Sequence, residues 1–291
     1  MKLSNPYKIA ILTDSCSDLS PELRAGKPIF TVPLKITCRD GEYSDGVDIF
    51  APDIYRRLAA GELPKTSLPD FFTADRILSR IKAEGYERVL AIHLSSGLSG
   101  TYNMIRLLGE SRHDLDVAVF DSVSGALGIG IIVLQAWEDI ESGMTWEKLV
   151  KERVPKLIAN TFPFFSVDTL EYLAKGGRIG KVTAMAGTVL NIKPLITFAP
   201  DGQLQSVAKV RGRKAVQDKL LELVRKALGD HKRYNLGVAN GGAPEEMAQL
   251  RARMEQEFPN YEHFWEGAID ATLSVYIGSG VLGAGVQVLD D

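Results

Sequence analysis

The chain has 291 residues, of which 45% are hydrophobic and 24% are charged, and its formal net charge is −3. This composition is typical of a globular protein with about two domains. The weakly acidic balance gives no indication of nucleic-acid binding, which usually requires a strongly basic surface. No stretch is long and apolar enough to form a transmembrane segment, and the amino terminus lacks the pattern of a signal peptide, so we expect a cytoplasmic protein.

The cysteine content excludes the common metal and redox motifs. There are two cysteines, Cys16 and Cys38, and their spacing matches neither pattern. We therefore expect no metal site, no cofactor and a reducing compartment.

The first elements predicted along the chain alternate between strand and helix. Residues 8–12 form a short apolar strand, which ends at the polar turn Thr13-Asp14-Ser15 before a helix. Residues 53–60 and 71–83 carry apolar side chains at helical spacing, and a glycine ends each run.

The most informative segment is a strand, a small polar turn and a helix at residues 89–108. Its turn contains Ser95, Ser96 and Gly97 at the start of the helix, where free backbone amides and the helix dipole favour an anion. The turn lacks the lysine of a nucleotide-binding loop. It therefore predicts a neutral cradle for one carboxylate or monoester phosphate. The alternative is that a serine merely caps an ordinary helix.

A third strand, residues 117–120, also ends in a polar loop, which begins with Asp121-Ser122 and precedes a helix that reaches about residue 140. Strands that alternate with helices predict a parallel sheet with right-handed crossovers. The three polar loops then lie together at the carboxyl edge of that sheet, where open α/β sheets bind ligands. A set of independent helix caps would produce the same pattern.

The second half of the chain is predicted to form another α/β unit. A helix over residues 146–158 ends the first half, so we place the domains at residues 1–160 and 161–291. Asp168 is expected to cap a helix that ends at Gly176-Gly177. The remaining predicted elements are strands at residues 164–167, 190–198, 204–211 and 235–239, a turn at residues 200–203, and helices at residues 214–228 and from residue 244.

Several motifs follow one another in order along nearly the whole chain. They are Ile11-Leu12-Thr13-Asp14-Ser15, Val32-Pro33-Leu34, Tyr43-Ser44-Asp45, Lys65-Thr66-Ser67-Leu68-Pro69, residues 93–103, Asp121-Ser122, residues 167–173, Gly176-Gly177-Arg178-Ile179-Gly180, residues 192–196 and Lys209-Val210-Arg211-Gly212. With these motifs the chain resembles the DegV family of fatty-acid-binding proteins, which includes the binding subunits of bacterial fatty-acid kinase.

The resemblance implies a fold, a ligand and a partner. The fold is α/β, with an N-terminal Rossmann-like parallel-sheet domain and a C-terminal α/β domain that helps to enclose a long-chain fatty acid. The carboxylate is held by the hydroxyl of Thr66 and by Ser95 or Ser96, with nearby backbone amides such as that of Gly97. The protein performs no chemistry and has no catalytic residue. It presents its ligand to a separate kinase, which forms an acyl phosphate.

The chain departs from the family pattern near its carboxyl terminus. The family usually carries a His-x-Gly-Pro-Gly segment, and Tyr276 stands here at the position of the histidine. A tyrosine forms hydrogen bonds but does not titrate near neutral pH. The resemblance therefore supports presentation to a kinase less directly than it supports fatty-acid binding. Arg178 either bridges the domains or lies near the head group.

Arg211 belongs to a basic cluster with Lys209, Arg213 and Lys214. This cluster is either a solvated face or a docking patch for an acidic partner. Two other functions stay open. One is a phosphotransferase or acyl hydrolase that uses the serine-rich edge, although no base or metal site accompanies it. The other is a lipid-responsive regulator that has no kinase partner.

Overall fold

The computed structural model describes residues 5–185 and 191–290, and its described strands form three sheets. The strands are β1 (Ile9–Asp14), β2 (Ile29–Val32), β3 (Lys35–Cys38), β4 (Gly41–Ser44), β5 (Lys65–Ser67), β6 (Arg88–His93), β7 (Asp116–Asp121), β8 (Thr161–Ser166), β9 (Ile192–Phe198), β10 (Leu204–Arg211), β11 (Tyr234–Gly241), β12 (Phe264–Ala268) and β13 (Val281–Val288).

The longer helices match the apolar periodicity of the sequence, and several short helical turns join them. The helices are α1 (Pro21–Arg24), α2 (Ala51–Ala59), α3 (Phe71–Ala83), α4 (Thr101–Ser111), α5 (Leu127–Glu141), α6 (Trp146–Lys148), α7 (Val154–Ala159), α8 (Glu171–Lys175), α9 (Lys214–Leu228), α10 (Pro244–Glu257) and α11 (Ala271–Ile277), with 3₁₀ turns at Ser15–Ser17 and Gly180–Met185 and a π-helical segment at Leu149–Arg153.

The first sheet is parallel, with the strand order β2-β1-β6-β7. Its central strands β1 and β6 are almost entirely buried because helices cover both faces. Helices α3 and α4 pack on one face and α5 packs on the other. The polar loops after β1, β6 and β7 therefore share the carboxyl edge of this sheet, as predicted.

The second sheet is mixed and has six strands in the order β10-β9-β8-β13-β11-β12. Helices α9 and α10 pack against it through one apolar cluster. Strands β9 and β10 form the antiparallel hairpin that was predicted from the turn at residues 200–203. A small antiparallel sheet, β4-β3-β5, carries Thr66 on the first half of the chain.

Helix α5 joins the two halves of the molecule. It is apolar around nearly its whole circumference because it lies between the first sheet and strands β8, β11 and β12. Its Gln135 accepts a hydrogen bond of 2.8 Å from the buried Asn235 side chain, which also donates to Gln287 at 3.0 Å. Because buried amides need partners, these bonds fix how the halves meet.

The strands divide between the sheets as the predicted domains require. The strands up to residue 121 form the first and the small sheet, and those from residue 161 form the six-stranded sheet. The boundary between residues 1–160 and 161–291 stays a prediction that this division supports. Within residues 5–185 and 191–290, no helix combines the length and hydrophobicity needed to cross a lipid bilayer.

Some local predictions were wrong or incomplete. Asp168 does not cap α8, whose N-cap is Leu170. The Asp168 carboxylate instead accepts hydrogen bonds from Lys193 on β9 at 2.7 Å and from Arg213, the N-cap of α9, at 3.3 Å. The strand predicted from residue 190 begins at residue 192, and residue 190 lies outside the described residues.

Candidate functional site

A cavity of about 340 Å³ lies between the two halves of the molecule. Its walls are mostly apolar and come from both halves, because α5 and the carboxyl edge of the first sheet face β8, β13 and α11 there. The larger apolar side chains in the lining are Leu34, Leu68, Leu94, Leu98, Leu127, Ile131, Phe164, Phe165, Leu173, Phe198, Leu204, Ile269, Leu273 and Ile277.

A small group of polar side chains in the lining bridges the two halves of the chain. Thr66 on β5 and Tyr276 on α11 share a hydrogen bond of 2.6 Å between their hydroxyl oxygens. Both residues line the cavity, as does Ser99 in the turn before α4. The pair is separated by 210 positions in the chain, so it joins the two halves directly beside the cavity.

Arg178 lies over the ring of Tyr276, with the guanidinium carbon 5.2 Å from the ring centroid. Its Nη1 donates to the carbonyl of Gly176 at 2.8 Å, and its Nε donates to the carbonyl of Leu98 at 3.4 Å. Arg178 therefore bridges the halves and also lines the cavity. Its role toward a head group stays a prediction.

The glycine at the carboxyl end of α8 makes room for Tyr276. A Cβ atom added to Gly176 would lie 2.3 Å from Cδ1 of the Tyr276 ring, far inside a van der Waals contact. Gly176 is also the C-cap of α8, as its position in the sequence suggested. The tyrosine and the glycine are therefore matched in shape.

The serine-rich turn contacts the second half of the chain through Ser95. Ser95 is fully buried and its hydroxyl donates to the carbonyl of Gly202 at 2.8 Å. The amide of Ser96 donates to Asp121, and that of Gly97 donates to the Ser95 hydroxyl. The turn contributes Ser99 and Gly100 to the cavity lining, whereas Ser95, Ser96 and Gly97 are not among the lining residues.

The physical reason is the tip of the β9–β10 hairpin, which packs on this turn. A Cβ atom on Gly97 would lie 2.3 Å from the carbonyl carbon of Gly202. The glycine thus permits the approach of a neighbouring backbone, where the sequence suggested the approach of a ligand. Ser99 precedes Gly100, the N-cap of α4, so it lies near the amino end of that helix, where an anion is favoured. Its hydroxyl also shares a hydrogen bond of 2.9 Å with that of Thr101.

The Asp14 carboxylate at the sheet edge orders the neighbouring loops. Asp14 accepts hydrogen bonds from the amides of Leu94 at 2.8 Å and Cys16 at 3.1 Å. The third contact of Asp14 is His93, whose Nδ1 lies 3.0 Å from the carboxylate. Both side chains are fully buried and neither lines the cavity. The pair is therefore poorly placed to act as a base on a ligand there.

Arg211 lies on the exposed face of β10 and is not part of the cavity lining. The neighbouring Arg213 is engaged by Glu246 at 2.7 Å and by Asp168. Lys209 and Lys214 are exposed, so the surface-facing part of the predicted basic cluster is Lys209, Arg211 and Lys214.

Comparisons with known proteins agree on one family. The model of the DegV family of uncharacterised proteins matches residues 8–288. A DegV domain-containing protein of Clostridium acetobutylicum is 36% identical over 276 residues, which cover 95% of this chain and 97% of the relative. A similar protein of Clostridium perfringens is 37% identical over 282 residues, covering 96% and 98%.

Solved structures give the same result. A fatty-acid-binding DegV family protein of Thermus thermophilus superimposes with a TM-score of 0.89 at 30% identity, covering 97% of this chain and 99% of the other. A stearic-acid-binding protein of Eubacterium ventriosum has a TM-score of 0.86 at 27% identity, covering 96% and 98%. The α/β fold predicted from the sequence is thereby confirmed.

Packing of the hairpin on the serine-rich turn leads to a testable prediction. Gly97→Ala should displace the hairpin tip, because the new methyl group would lie 2.3–2.6 Å from backbone atoms of Gly202 and Gln203. Such overpacking costs about 1–3 kcal/mol, so amide exchange in residues 199–204 should accelerate by about 5- to 150-fold. Hydrogen exchange with mass spectrometry measures this.

Gly100→Ala is the matched control, because its Cβ atom would meet only the Leu68 side chain, at 3.3 Å. Exchange in the hairpin should then stay at the wild-type rate. Equal rates in wild-type and Gly97→Ala protein would contradict the close packing.

Proposed function

The chain belongs to the DegV family, and we propose that it binds one long-chain fatty acid in the cavity between its two halves. The observation that carries this proposal is the asymmetry of the cavity. Its walls are apolar over most of their area, and its few polar side chains include the adjacent Thr66, Arg178 and Tyr276. A single-chain amphiphile with one small head group has the same asymmetry.

The apolar walls would supply most of the binding free energy. Each buried methylene contributes about 0.8 kcal/mol, so about a dozen contribute on the order of 10 kcal/mol before association and ordering costs. A small polar anion would gain nothing from these walls. The free energy that the apolar walls contribute therefore favours a lipid over a small metabolite with the same head group.

The polar side chains would fix the orientation of the ligand. We assign the carboxylate to the hydroxyls of Thr66, Ser99 and Tyr276, with the guanidinium of Arg178 supplying the positive charge. A charge-assisted hydrogen bond of this kind contributes about 1.5–3 kcal/mol. Head-group contacts from Ser95, Ser96 and Gly97 stay a prediction of the family resemblance, since Ser95 is engaged by Gly202 here.

We further propose that the protein is a non-catalytic, cytoplasmic carrier that presents the acid to a kinase. The buried position of the His93–Asp14 pair supports a non-catalytic role, because this acid–base pair does not line the cavity. The alternatives are an acyl hydrolase or phosphotransferase at the serine-rich edge and a regulator that has no kinase partner. Turnover of an acyl ester by the protein alone would favour the first.

The proposal predicts how substitutions of the proposed head-group residues change the affinity for palmitate. Thr66→Val and Tyr276→Phe should each weaken palmitate binding by about 5- to 150-fold, since each removes one hydrogen bond worth about 1–3 kcal/mol. Neither change should weaken binding of the methyl ester by as much. Isothermal titration of delipidated protein with both ligands measures the difference.

Ser96→Ala is the matched control, because Ser96 is exposed and lies outside the cavity lining. It should leave the dissociation constant within about twofold of wild type. If Ser96→Ala weakens binding and Thr66→Val does not, the head group lies at the serine-rich turn. If delipidated protein binds no palmitate at all, the proposed function is wrong.

Presentation to a kinase predicts a separate effect at Arg211. Arg211→Glu should slow acyl-phosphate formation by an added kinase on the order of tenfold, because charge reversal at an interface acts on encounter with the partner. The effect should shrink at high salt, which screens exposed charges beyond about 8–10 Å. A coupled kinase assay at two salt concentrations measures it, and palmitate affinity should not change.

Lys82→Glu is the matched control, because it makes the same change of charge at an exposed position of α3, in the other half of the chain. It should leave the kinase rate unchanged. A loss of both palmitate affinity and kinase rate in Arg211→Glu would instead assign Arg211 to the fold, and no change in either would identify a solvated face.

A further inference from the structure

A thiol and three carboxyl groups meet where α11 contacts the first half of the chain. We call this group the acid–thiol cluster, and it consists of Cys16, Asp18, Asp45 and Asp270. One ligand atom from each of Cys16, Asp45 and Asp270 lies within 4.8 Å of the other two. The Sγ atom of Cys16 is 3.8 Å from Oδ1 of Asp270. The cluster therefore has the dimensions of a coordination site.

The negative charge of the cluster has no compensating side chain among the described residues. Within residues 5–185 and 191–290, no lysine or arginine forms an ion pair with Asp18, Asp45 or Asp270. Buried carboxyl groups that have no basic partner either take up protons or coordinate a cation.

A second observation points to a missing ligand. Asp18 is only 9% exposed, and its Oδ2 atom has no hydrogen-bond partner. Its Oδ1 atom accepts a hydrogen bond of 3.0 Å from the amide of Asp270, which holds the carboxyl group against the cluster. Oδ2 of Asp270 is also buried without a partner. Two unsatisfied acceptor oxygens thus lie side by side in a buried site.

We propose that the acid–thiol cluster binds one divalent transition-metal ion of the Zn²⁺ class. Cys16, Asp45 and Asp270 are the proposed ligands, and the Asp18 carboxylate, which accepts a hydrogen bond from the Asp270 amide, lies beside them. A thiolate among carboxylates selects Zn²⁺ over Mg²⁺ and Ca²⁺, which prefer oxygen ligands. Zn–S and Zn–O bonds of about 2.3 and 2.0 Å place S and O ligands about 3.5 Å apart in a tetrahedron, close to the distance between Cys16 and Asp270.

Asp45 can serve as a ligand while it holds α11. Its two carboxylate oxygens accept hydrogen bonds from the amides of Ala271 at 3.0 Å and Thr272 at 3.3 Å. Each oxygen has a further lone pair for a metal. The ion would then connect the turn after β1 and the loop after β4 to the start of α11. The metal would hold closed the wall of the cavity that carries Tyr276.

The test uses the full-length protein, stripped with a chelator and titrated with Zn²⁺ and Co²⁺. We expect one ion per chain, a thiolate-to-Co²⁺ absorption band and a higher melting temperature with Zn²⁺. Cys16→Ser should abolish the band and weaken Zn²⁺ binding by at least about tenfold. Loss of a residue that merely contacts a metal ligand already weakens binding by about that much. Cys38→Ser is the matched control, because Cys38 is also buried and lies outside the cluster.

Asp18→Asn and Asp270→Asn provide a second route if Cys16→Ser does not fold. Each should lower Zn²⁺ affinity while circular dichroism shows an intact fold. Absence of both stoichiometric binding and a Zn²⁺-dependent melting shift in the wild type would overturn the proposal, and the carboxyl groups would then share protons. Equal losses in Cys16→Ser and Cys38→Ser would overturn it as well, because the ion would lie elsewhere.

Discussion

Attachment of α11 to the first half of the chain is the constraint on which the cavity depends. The helix is only seven residues long, and so short a helix is marginal without tertiary contacts. Asp45 supplies those contacts by accepting hydrogen bonds from two of its first amides, and the negative charge is also favourable at the amino end of a helix dipole. Ala271 and Val275 bury the inner face against Ile54 of α2. With α11 in place, Tyr276 meets Thr66 and the cavity has its polar side.

The same arrangement separates the two tasks of a lipid-binding site. Affinity would come from apolar walls that both halves of the chain contribute, and orientation would come from a few hydroxyls and one guanidinium. Because Arg178 and the Thr66–Tyr276 pair each join the two halves, contact with the head group and closure of the cavity involve the same side chains. A ligand that binds to these side chains would therefore also help to hold the two halves of the chain together.

Much of the fold could be predicted from the sequence, because it follows from local patterns. Apolar periodicity located α3 at residues 71–83, and the polar turn at residues 200–203 located the β9–β10 hairpin. The alternation of strand and helix placed three polar loops at one sheet edge. The prediction that Asp168 caps a helix was wrong. An acidic residue before a helix is usually its cap, whereas here two cations distant in the sequence bind the carboxylate.

The candidate site could be predicted only in part, since its decisive contacts join distant positions. Ser95 bonds to Gly202 across 107 positions, and no local rule shows that a hairpin tip occupies the serine-rich turn. Thr66 and Tyr276 were identified through the family resemblance, but their mutual hydrogen bond required coordinates. The acid–thiol cluster was missed for the same reason, because residues 16, 45 and 270 form no sequence motif.

A crystal structure with 16-bromohexadecanoic acid would test the central claim most directly, because anomalous scattering locates the bromine at the end of the alkyl chain. The account predicts that the carboxylate lies at hydrogen-bonding distance, about 3 Å, from the hydroxyls of Thr66 and Tyr276, with the bromine inside the apolar walls. A carboxylate bound at Ser95 and Ser96 away from Tyr276, or a bromine outside the cavity, would contradict it.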